Sequence, residues 1–421
     1  MPQSGGSESA GRGATAGRRP WAGRRILLGV TGGIAAYKSV QLARDLTALG
    51  AEVDVVLTSA AREFVGSLSF AALTGRPVYG DLWAPAEGLA HIRLAREADV
   101  VCIAPATADL IARAAAGRAD DMLAAILLAT RAVVLLAPAM NDRMWSHPQT
   151  QRNATYVSEV LGYRLVGPAS GPLAFDEGSG PGRMEDPATI TAHIGRALGE
   201  DRLLRGRRIV VTAGPTREPV DAVRVLTNRS SGRMGYAIAA AAWRRGAEVT
   251  LIAGPGTAVP PPGPQLVPVQ TTQELADAVR AYLPAAAALI MAAAAADFRP
   301  TDVAPHKLKK ARMPEAIALE PAPDVLLETR AARPPGCMIV GFALETEDLL
   351  ANGRSKLERK GLDLIVLNSA NEPGAGFDVE TNRVSLLDAR GALETLPLLS
   401  KDEVAERVLD RVVAHLAGPN D

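Results

Sequence analysis

Basic side chains with the spacing of a phosphate site lie in the second half of the sequence. The run His306–Lys310 contains three lysines, and Lys356 and Lys360 lie one helical turn apart, which puts them on one helix face. Lysines are mobile point charges that suit a nucleoside triphosphate and the pentavalent phosphorus formed when a carboxylate attacks it. Most charge runs are solvated surface loops. Here Asp297 lies upstream at the end of a predicted strand, and the combination favours a nucleotide site with Mg²⁺ bridging the phosphates.

The first half carries small and polar residues where predicted strands end. The turn Thr31–Gly33 follows the apolar run Ile26–Val30, and Thr58-Ser59 ends the next run. On its own, the glycine turn is equally consistent with a tight turn that binds nothing. No acidic residue follows the second strand to bind a ribose hydroxyl. The pattern therefore disfavours a dinucleotide and favours a mononucleotide or a flavin phosphate.

Two single residues of the first half are candidates for catalysis. A lone histidine such as His91 is more often structural than catalytic, and Asn141 has the position of a helix N-cap. Their joint occurrence with the loops Pro105–Asp109 and Gly180–Met184 favours an active-site role for both.

Two strand-to-helix openings, Arg25–Tyr37 and Arg207–Gly235, organise these motifs. Apolar runs alternate with helical patterns after each opening, which predicts right-handed crossovers and parallel sheets covered by helices. The predicted fold class is α/β, with two tandem doubly wound parallel-sheet domains, flavodoxin-like and then Rossmann-like. The predicted divisions are a disordered tail at 1–23, a first domain at 24–195, a linker at 196–206 and a second domain at 207–421.

Composition excludes several classes of function. Lys and Arg total 46 against 46 Asp and Glu, so the footprint of a dedicated nucleic-acid binder is missing. Two cysteines, Cys102 and Cys337, are too few for a disulfide framework or a four-ligand zinc site. No apolar, uncharged run reaches the ~18 residues of a membrane span, and residues 1–23 lack the apolar segment of a signal peptide. We expect a cytoplasmic protein that acts on small molecules.

The first half resembles the flavin-dependent cysteine decarboxylases over nearly all of residues 24–190. The motifs that carry the resemblance are Thr31–Lys38, Gly88–Ile92, Ala104–Leu110, Pro138–Asn141 and Gly180–Met184. The FMN-binding positions that it implies are Gly32, Gly33, Ser59 and Thr107. It also implies that His91 is the catalytic histidine of the flavin-linked oxidation and that Asn141 holds the substrate near its carboxylate. A neutral amide suits this task, because a strong cation would stabilise the carboxylate that must be lost.

The substrate lid departs from the family pattern. The family carries a cysteine that protonates the enethiol, in a stretch like Gly-x-Leu-Ala-Cys-Gly, where this sequence has Phe175 and then Asp176. Phe175 cannot donate a proton, and Cys102 lies within a predicted buried strand. We expect that Asp176, Glu177 or water supplies the proton, or that the enethiol accumulates. The lid positions that the resemblance implies are Phe175, Asp176, Gly182, Arg183 and Met184.

The second half resembles the ligase half of the bifunctional phosphopantothenoylcysteine decarboxylase/phosphopantothenate–cysteine ligases of coenzyme A biosynthesis. The whole resemblance spans about residues 24–415. The family activates 4′-phosphopantothenate with CTP to an acyl-cytidylate, releases pyrophosphate, and lets the amine of cysteine attack. The positions implied around the nucleotide are Ala293, Ala294, Ala295, Asp297, Lys307, Ala322, Pro323, Asp324, Val325, Phe342, Lys356 and Lys360.

The same resemblance assigns the remaining ligase residues. Arg224 and Asn228 match the residues that handle the acyl intermediate, and Asn228 and Lys307 are the implied catalytic residues. Ala322 replaces the usual asparagine of an Asn-Pro-Asp motif, for which we expect modest damage. Mg²⁺ is expected to bind through the phosphates of CTP, with no metal site of its own assigned.

Other interpretations stay open at this point. With Phe175 in the lid, the flavin domain could be a non-catalytic or regulatory part beside an active ligase. A plain nicotinamide-dependent oxidoreductase is disfavoured by the missing acidic residue after the second strand and by the lysines of His306–Lys310. The resemblance further implies a homo-oligomer, with trimeric flavin domains that can assemble into dodecamers and with dimeric ligase domains.

Overall fold

Continuous apolar runs form the buried central strands in both halves of the chain. The computed structural model divides the chain into two compact units, Met1–Ile194 and Gly195–Asp421. The structure describes residues 20–83, 89–172, 178–199, 203–309, 316–345, 348–369, 379 and 381–418. Among these residues, none of the helices has the length and apolar character needed to cross a membrane.

The first unit is built on a parallel sheet with the strand order β3-β2-β1-β4-β5-β6. Its strands are β1 (Arg25–Val30), β2 (Glu52–Leu57), β3 (Val78–Tyr79), β4 (Val100–Ala106), β5 (Val133–Pro138), β6 (Arg164–Leu165), β7 (Ala169–Pro172) and β8 (Ser179–Arg183). Its helices are α1 (Ala36–Ala48), α2 (Ser59–Arg62), α3 (Ser67–Thr74), α4 (Ala90–Glu97), α5 (Ala108–Ala115), α6 (Met122–Ala129), α7 (Asp142–Ser146), α8 (Pro148–Glu159) and α9 (Pro187–Gly199), which runs across the boundary between the units. Strands β7 and β8 form a separate antiparallel hairpin. The order of the sheet reverses between β1 and β4, which is the switch point of a doubly wound fold.

Both faces of this sheet are covered. Leu27 and Val101 pack in one cluster with Leu94 of α4 and Ile126 of α6. The residues that alternate with them along the strands face the other side of the sheet and are equally buried, as Leu28 is. Helices α1 and α3 also contact this sheet. Burial on both faces is why these strands read as continuous apolar runs instead of alternating ones.

The second unit is built on an eight-stranded sheet with the order β13-β12-β9-β14-β17-β18-β20-β21. Its strands are β9 (Arg208–Ala213), β10 (Arg217–Pro219), β11 (Val225–Thr227), β12 (Glu248–Ala253), β13 (Gln265–Pro268), β14 (Ala288–Met291), β15 (Phe298–Pro300), β16 (Leu319–Pro321), β17 (Met338–Glu345), β18 (Leu364–Ser369), β19 (Thr381–Asn382), β20 (Val384–Asp388), β21 (Leu393–Thr395) and β22 (Leu399–Ser400). Its helices are α10 (Arg233–Arg244), α11 (Thr272–Tyr282), α12 (Val325–Glu328), α13 (Leu349–Lys360) and α14 (Lys401–Ala417). The pairs β10–β11, β15–β16 and β19–β22 are short antiparallel hairpins or bridges outside the sheet.

The α/β class and the tandem arrangement predicted from the sequence are confirmed. The second sheet is parallel from β13 to β18 and ends in two antiparallel strands, β20 and β21, which the sequence analysis does not predict. Strand β20 has buried apolar residues like those of a parallel strand, and such residues do not specify the direction of the partner strand. Strand β21 is short and mostly exposed, so it has no apolar run. The switch point of this sheet lies between β9 and β14, because β12 and β13 follow on one side of β9 and β14 lies on the other.

Side-chain caps fix the helix starts next to the strand ends. Thr58, Thr107 and Asn141 accept from amides in the first turns of α2, α5 and α7. Thr271 and Asp324 do the same for α11 and α12. Each cap satisfies an amide that the helix itself leaves unpaired, so polar residues collect at the carboxyl edges of both sheets.

Candidate active sites

A buried threonine joins the two loops at the switch point of the first sheet. Thr31 follows β1 and is 2% exposed. Its Oγ1 donates to the carbonyl oxygen of Pro105 (2.8 Å) and accepts from the amide of Thr107 (3.2 Å). The loops after β1 and β4 therefore keep a fixed spacing at the edge where open α/β sheets bind ligands.

Three of the predicted flavin positions lie on neighbouring strand ends. Gly32 follows β1, Ser59 begins α2 after β2, and Thr107 caps α5 after β4. Because β2, β1 and β4 are adjacent, the fold brings these residues to one edge of the sheet. Ser59 is exposed and Thr107 is half-buried, so the edge is open to a ligand.

Gly32 and Gly33 differ in what surrounds them. A Cβ at Gly32 would lie 2.5 Å from the Cβ of Ala60 and 2.8 Å from the carbonyl carbon of Ala60. A Cβ at Gly33 would meet nothing within 4 Å. Gly32 is therefore required by the close approach of the first loop to α2, and Gly33 leaves open space beside it.

The loop that carries Asn141 touches the β7–β8 hairpin. The amide of Met140 donates to the carbonyl oxygen of Gly182 (2.9 Å), and a Cβ at Gly182 would lie 2.2 Å from the carbonyl oxygen of Met140. The side-chain oxygen of Asn141 accepts from the amide of Arg143 (2.9 Å), which caps α7. The structure thus brings the Asn141 loop against Gly182 of the predicted lid and against β8, which ends at Arg183.

Lys38 fixes the chain just after this hairpin. Its Nζ donates to the carbonyl oxygen of Met184 (3.1 Å) and to Oδ1 of Asp186 (2.8 Å). The Lys38 side chain is largely buried. Its ammonium group, and to a smaller extent the guanidinium group of Arg183, lower the pKa of Asp186. The first turn of α1 is therefore tied to the base of the hairpin.

His91 lies in the first turn of α4, and its Nδ1 is buried without a hydrogen-bond partner. Such an atom has lost its water without gaining a replacement, which costs about 1–3 kcal/mol. Within the described residues, no hydrogen bond links His91 to Asn141. Phe175, Asp176 and Gly88 lie outside the described residues.

Cys102 is unsuited to replace the missing lid cysteine. It is fully buried in β4, and burial raises the pKa of its thiol to about 12. The thiol is therefore neither accessible nor acidic enough to exchange a proton with a substrate at neutral pH.

In the second unit, hydroxyl groups hold both ends of the alanine loop that follows β14. Oγ1 of Thr212 accepts from the amide of Ala293 (3.1 Å), and Oγ1 of Thr216 accepts from the amide of Ala296 (2.9 Å). Thr216 is also 2.9 Å from Oγ1 of Thr272, which donates to the buried carboxylate of Glu218 (2.8 Å). This chain of hydrogen bonds fixes the loop from within the core.

Asn228 contacts the same loop from outside. Its Nδ2 donates to the carbonyl oxygens of Ala294 (3.3 Å) and Ala295 (2.9 Å). The loop comprises the predicted nucleotide positions Ala293 to Ala295, so the structure joins them to a residue predicted for the acyl intermediate. Asp297, which follows the loop, is exposed, and its carbonyl oxygen accepts from the amide of Ala322 (2.9 Å).

Glycines permit the close packing of backbone at the switch point of this sheet. A Cβ at Gly254 would lie 1.8 Å from the carbonyl oxygen of Pro215, and one at Gly235 would lie 2.5 Å from the Cβ of Ala213. Gly235 lies in the first turn of α10, so the start of this helix packs directly on the end of β9. Sequence analysis identified the Arg207–Gly235 opening but not Gly254.

Two of the predicted nucleotide residues form an ion pair. Lys360 Nζ lies 3.0 Å from Asp324 Oδ2, with both side chains partly exposed. Lys356 lies one turn earlier on α13, as predicted, and Phe342 is partly buried in β17. Pro323 and Val325 flank Asp324 at the start of α12, where Val325 is buried.

Lys307 is exposed, and the segment that carries it is hydrogen-bonded to the turn of the β10–β11 hairpin. The buried carboxylate of Asp221 accepts from the amide of Leu308 (3.1 Å), and Arg224 donates to the carbonyl oxygen of Leu308 (3.1 Å). Arg224 also pairs with Asp221 (2.5 Å). The guanidinium predicted to face the acyl intermediate is thus partly engaged by the protein itself.

Sequence analysis did not identify Lys38, Thr212, Thr216 or Asp221 as part of these sites. Each acts on backbone groups of a distant segment, so spacing in the sequence carries no signal for it. Among the described residues, no group of three or more His, Cys, Asp or Glu side chains could hold a metal ion.

Comparison with known families assigns both units. The model of the Flavoprotein family matches residues 16–199, and that of the DNA/pantothenate metabolism flavoprotein C-terminal domain matches residues 204–416. The protein is therefore a flavoprotein joined to a second, pantothenate-metabolism domain.

Similarity to curated proteins narrows this class. The chain is 46% identical over 411 residues to the coenzyme A biosynthesis bifunctional protein CoaBC of Mycobacterium tuberculosis (strain ATCC 25618 / H37Rv), covering 94% of this chain and 97% of that protein. It is 44% identical over 390 residues to the CoaBC protein of Vibrio cholerae, covering 92% and 97%. A crystal structure of the C-terminal domain of a CoaBC protein covers 52% of this chain and 99% of that chain at 35% identity and a TM-score of 0.44.

The chain belongs to the family of CoaBC bifunctional proteins of coenzyme A biosynthesis. It is a bifunctional enzyme with a flavoprotein decarboxylase domain and a ligase domain.

Proposed function

We propose that the second unit condenses 4′-phosphopantothenate with cysteine at the expense of CTP, through an acyl-cytidylate. The first unit then decarboxylates 4′-phosphopantothenoylcysteine to 4′-phosphopantetheine with FMN. Family membership supports the pair of activities, and the geometry of the two sheet edges supports the assignment of residues. The observation that carries the ligase assignment is the alanine loop held by Thr212, Thr216 and Asn228.

The proposed nucleotide site extends from this loop to the charged residues around it. CTP lies against Ala293–Ala295, with Asp297, Phe342 and the Asp324–Lys360 pair beside it. Lys307 and Lys356 neutralise the phosphates. Mg²⁺ would be held by the phosphate oxygens of the nucleotide, which are the hard oxygen ligands that this ion prefers. Asn228 serves the acyl intermediate from a position that the alanine loop already fixes.

The residues of the first unit fit a flavin. An open space beside Gly33, accessible hydroxyl groups on adjacent strand ends and the unpaired Nδ1 of His91 are features that a bound polar cofactor would use. Gly32, Gly33, Ser59 and Thr107 would hold FMN, which supplies the two-electron oxidation of the cysteine moiety. Because the oxygen of Asn141 accepts from Arg143, its amide nitrogen is left to donate to the substrate.

Gly32→Ala tests the proposed FMN site at the carboxyl edge of the first sheet. The added methyl group overpacks against Ala60, so the loop after β1 must move away from α2, which relieves a strain of about 1–3 kcal/mol. Because FMN binding needs the loop in its original position, this strain returns on binding and corresponds to roughly 5- to 150-fold weaker FMN binding. The dissociation constant of FMN, measured by fluorescence titration of the stripped protein, checks this value. Gly33→Ala is the matched control, since its methyl group meets no atom within 4 Å. Equal weakening in both variants would contradict the steric account.

Phe175 in the lid favours a second candidate outcome, in which the first unit releases CO₂ but stops at the enethiol. The fully buried Cys102 offers no alternative proton donor. Phe175→Cys is expected to convert an accumulating enethiol into the saturated thiol, raising its share of product about tenfold or more, as for other positioned general acids. Anaerobic product analysis by mass spectrometry distinguishes the two species. If the unchanged protein already makes only saturated thiol, Asp176, Glu177 or water supplies the proton.

One experiment tests the whole proposal. The purified protein receives 4′-phosphopantothenate, cysteine and CTP, and CMP, pyrophosphate, CO₂ and the thiol product are followed by mass. Formation of CMP without CO₂ would support the alternative of an active ligase beside a regulatory flavin domain. ATP in place of CTP measures the nucleotide preference, and absence of nucleotide cleavage with either would refute the ligase assignment.

Exposed apolar side chains support the proposed homo-oligomer. In the second unit, Val225, Phe298 and Leu319 are exposed on the neighbouring β10–β11 and β15–β16 hairpins, as expected of a dimer surface. In the first unit, Tyr37 and Leu89 are exposed near the proposed flavin edge, as expected of trimeric flavin domains. The cytoplasm is the proposed location.

A further inference from the structure

We infer that Asp221 is a positioning residue. By accepting a hydrogen bond from the backbone amide of Leu308, it orients Lys307 toward the nucleotide. The inference rests on the proposed use of CTP by this site. It assigns a task to a buried carboxylate that the sequence analysis did not identify.

The Asp221 side chain is completely buried and fully used. Its Oδ1 accepts from the amides of Val223 (2.8 Å) and Arg224 (2.7 Å), and its Oδ2 accepts from the amide of Leu308 (3.1 Å) and from the Arg224 guanidinium (2.5 Å). A carboxylate offers enough lone pairs for four donors, whereas the NH₂ group of an asparagine, in place of either oxygen, would face two of these donors. The site therefore requires the acid.

The carboxylate stays ionised over the working range of pH. Burial opposes its charge, but the amides of Val223, Leu308 and Arg224 and the Arg224 guanidinium outweigh burial and hold the pKa of Asp221 well below its usual range. Because the pKa of Asp221 is lowered, its carboxylate keeps these hydrogen bonds at every pH above the ordinary pKa of aspartate. They are lost only in strong acid.

Asp221 and Arg224 together hold both backbone groups of Leu308, the residue next to Lys307. Asp221 accepts from the N–H of Leu308, and Arg224 donates to its C=O (3.1 Å). A second anchor lies earlier in the same segment, where the amide of Ala304 donates to the carbonyl oxygen of Val220 (3.2 Å). Lys307 lies between the two anchors with its side chain exposed, so the direction of its backbone is set before any nucleotide binds.

Pre-organisation of this kind lowers the entropy lost on binding. Asp221→Asn is expected to free the segment and weaken CTP binding about 10- to 100-fold, the cost of ordering one or two residues again. The amide of Leu308 should exchange hydrogen correspondingly faster. The affinity for FMN in the other unit should not change.

The test combines hydrogen exchange at Leu308 with calorimetric titration of CTP into the full-length protein. Glu320→Gln is the matched control, because it removes a partly exposed carboxylate that pairs with Arg299 on the β15–β16 hairpin, and it should bind CTP normally. Leu308→Pro approaches the same contact from the other side. It removes the donated N–H while leaving Asp221 with its other partners, and it should weaken CTP binding to a similar extent even if Asp221→Asn unfolds.

A double-mutant cycle separates positioning from a general structural role. If Asp221 acts through Lys307, Asp221→Asn adds nothing to the CTP affinity lost in Lys307→Ala. Additive losses, or CTP binding unaffected by Asp221→Asn, would overturn the inference while leaving the proposed function intact. Failure of the unchanged protein to bind CTP would overturn the proposed function, and the inference with it.

Discussion

Lys307→Ala is expected to stop pyrophosphate release almost completely, with a fall of roughly 100- to 1,000-fold in the rate of CTP cleavage. This is the usual cost of removing one pre-organised group that stabilises charge in a transition state. The ammonium group is exposed, and both sides of the segment that carries it are anchored, so its charge is available without a rearrangement. Release of pyrophosphate from CTP in the presence of 4′-phosphopantothenate measures the effect.

Three comparisons make this result specific. Lys309→Ala removes an equal charge two residues along the segment, and its loss should be much smaller. Lys307→Arg keeps the charge and should recover part of the rate, though not all of it, because a planar guanidinium does not replace a compact ammonium. FMN content should be unchanged in every variant. Equal losses for Lys307→Ala and Lys309→Ala would mean that the segment acts by its total charge, and would contradict the assignment of Lys307.

Both units use threonine hydroxyl groups in the same way. In the first unit Thr31, after β1, fixes the loop after β4, and in the second Thr212 and Thr216 fix the loop after β14 from the end of β9. In each case the fixed loop lies across the switch point, where the sheet leaves its widest gap between outgoing loops. A hydroxyl group can donate and accept at once. Thr31 uses this to hold two backbone groups, whereas Thr212 and Thr216 each hold one backbone amide and contact the side chains of Met291 (3.6 Å) and Thr272 (2.9 Å).

The fold was largely predictable from the sequence because strands that are buried on both faces of a sheet appear as continuous apolar runs. The apolar run Ile26–Val30 lies within β1, which begins one residue earlier at Arg25, and β2 ends at Leu57, directly before the predicted strand end Thr58-Ser59. The pairing direction of β20 left no trace in the sequence, since an apolar run does not encode the direction of its partner, and β21 is a short, mostly exposed strand without an apolar run. The β7–β8 hairpin was not predicted as strands either, because its glycines are set by tertiary contacts: Gly180 lies against the side chain of Asp142, and Gly182 lies against the backbone of Met140.

The candidate sites were predictable as lists of residues and not as sets of contacts. Asp324 and Lys360 were both assigned to the nucleotide, yet nothing in their spacing indicated that they pair with one another. Arg224 was assigned to the acyl intermediate, and its bonds to Asp221 and Leu308 depend on how β10 and β11 fold over a segment about 80 residues away. Such contacts arise from tertiary packing, which local sequence patterns do not encode.

His91→Ala is expected to lower the rate of decarboxylation roughly 100- to 10,000-fold, the range for loss of a general acid or base. It is expected to leave stability unchanged or slightly raised, because Nδ1 of His91 is buried without a partner and its removal leaves no other group unpaired. A structural histidine would behave in the opposite way, with a lower melting temperature and a retained rate. His147→Ala is the matched control, since His147 is exposed and caps α8 through Nδ1 (3.1 Å to the amide of Gln149). The control should cost about 1 kcal/mol of stability and keep its rate of CO₂ release. Anaerobic CO₂ release, measured on both variants with FMN bound, and thermal unfolding, measured on both variants stripped of FMN, therefore separate catalysis from packing. A destabilised but active His91→Ala protein would contradict the catalytic assignment.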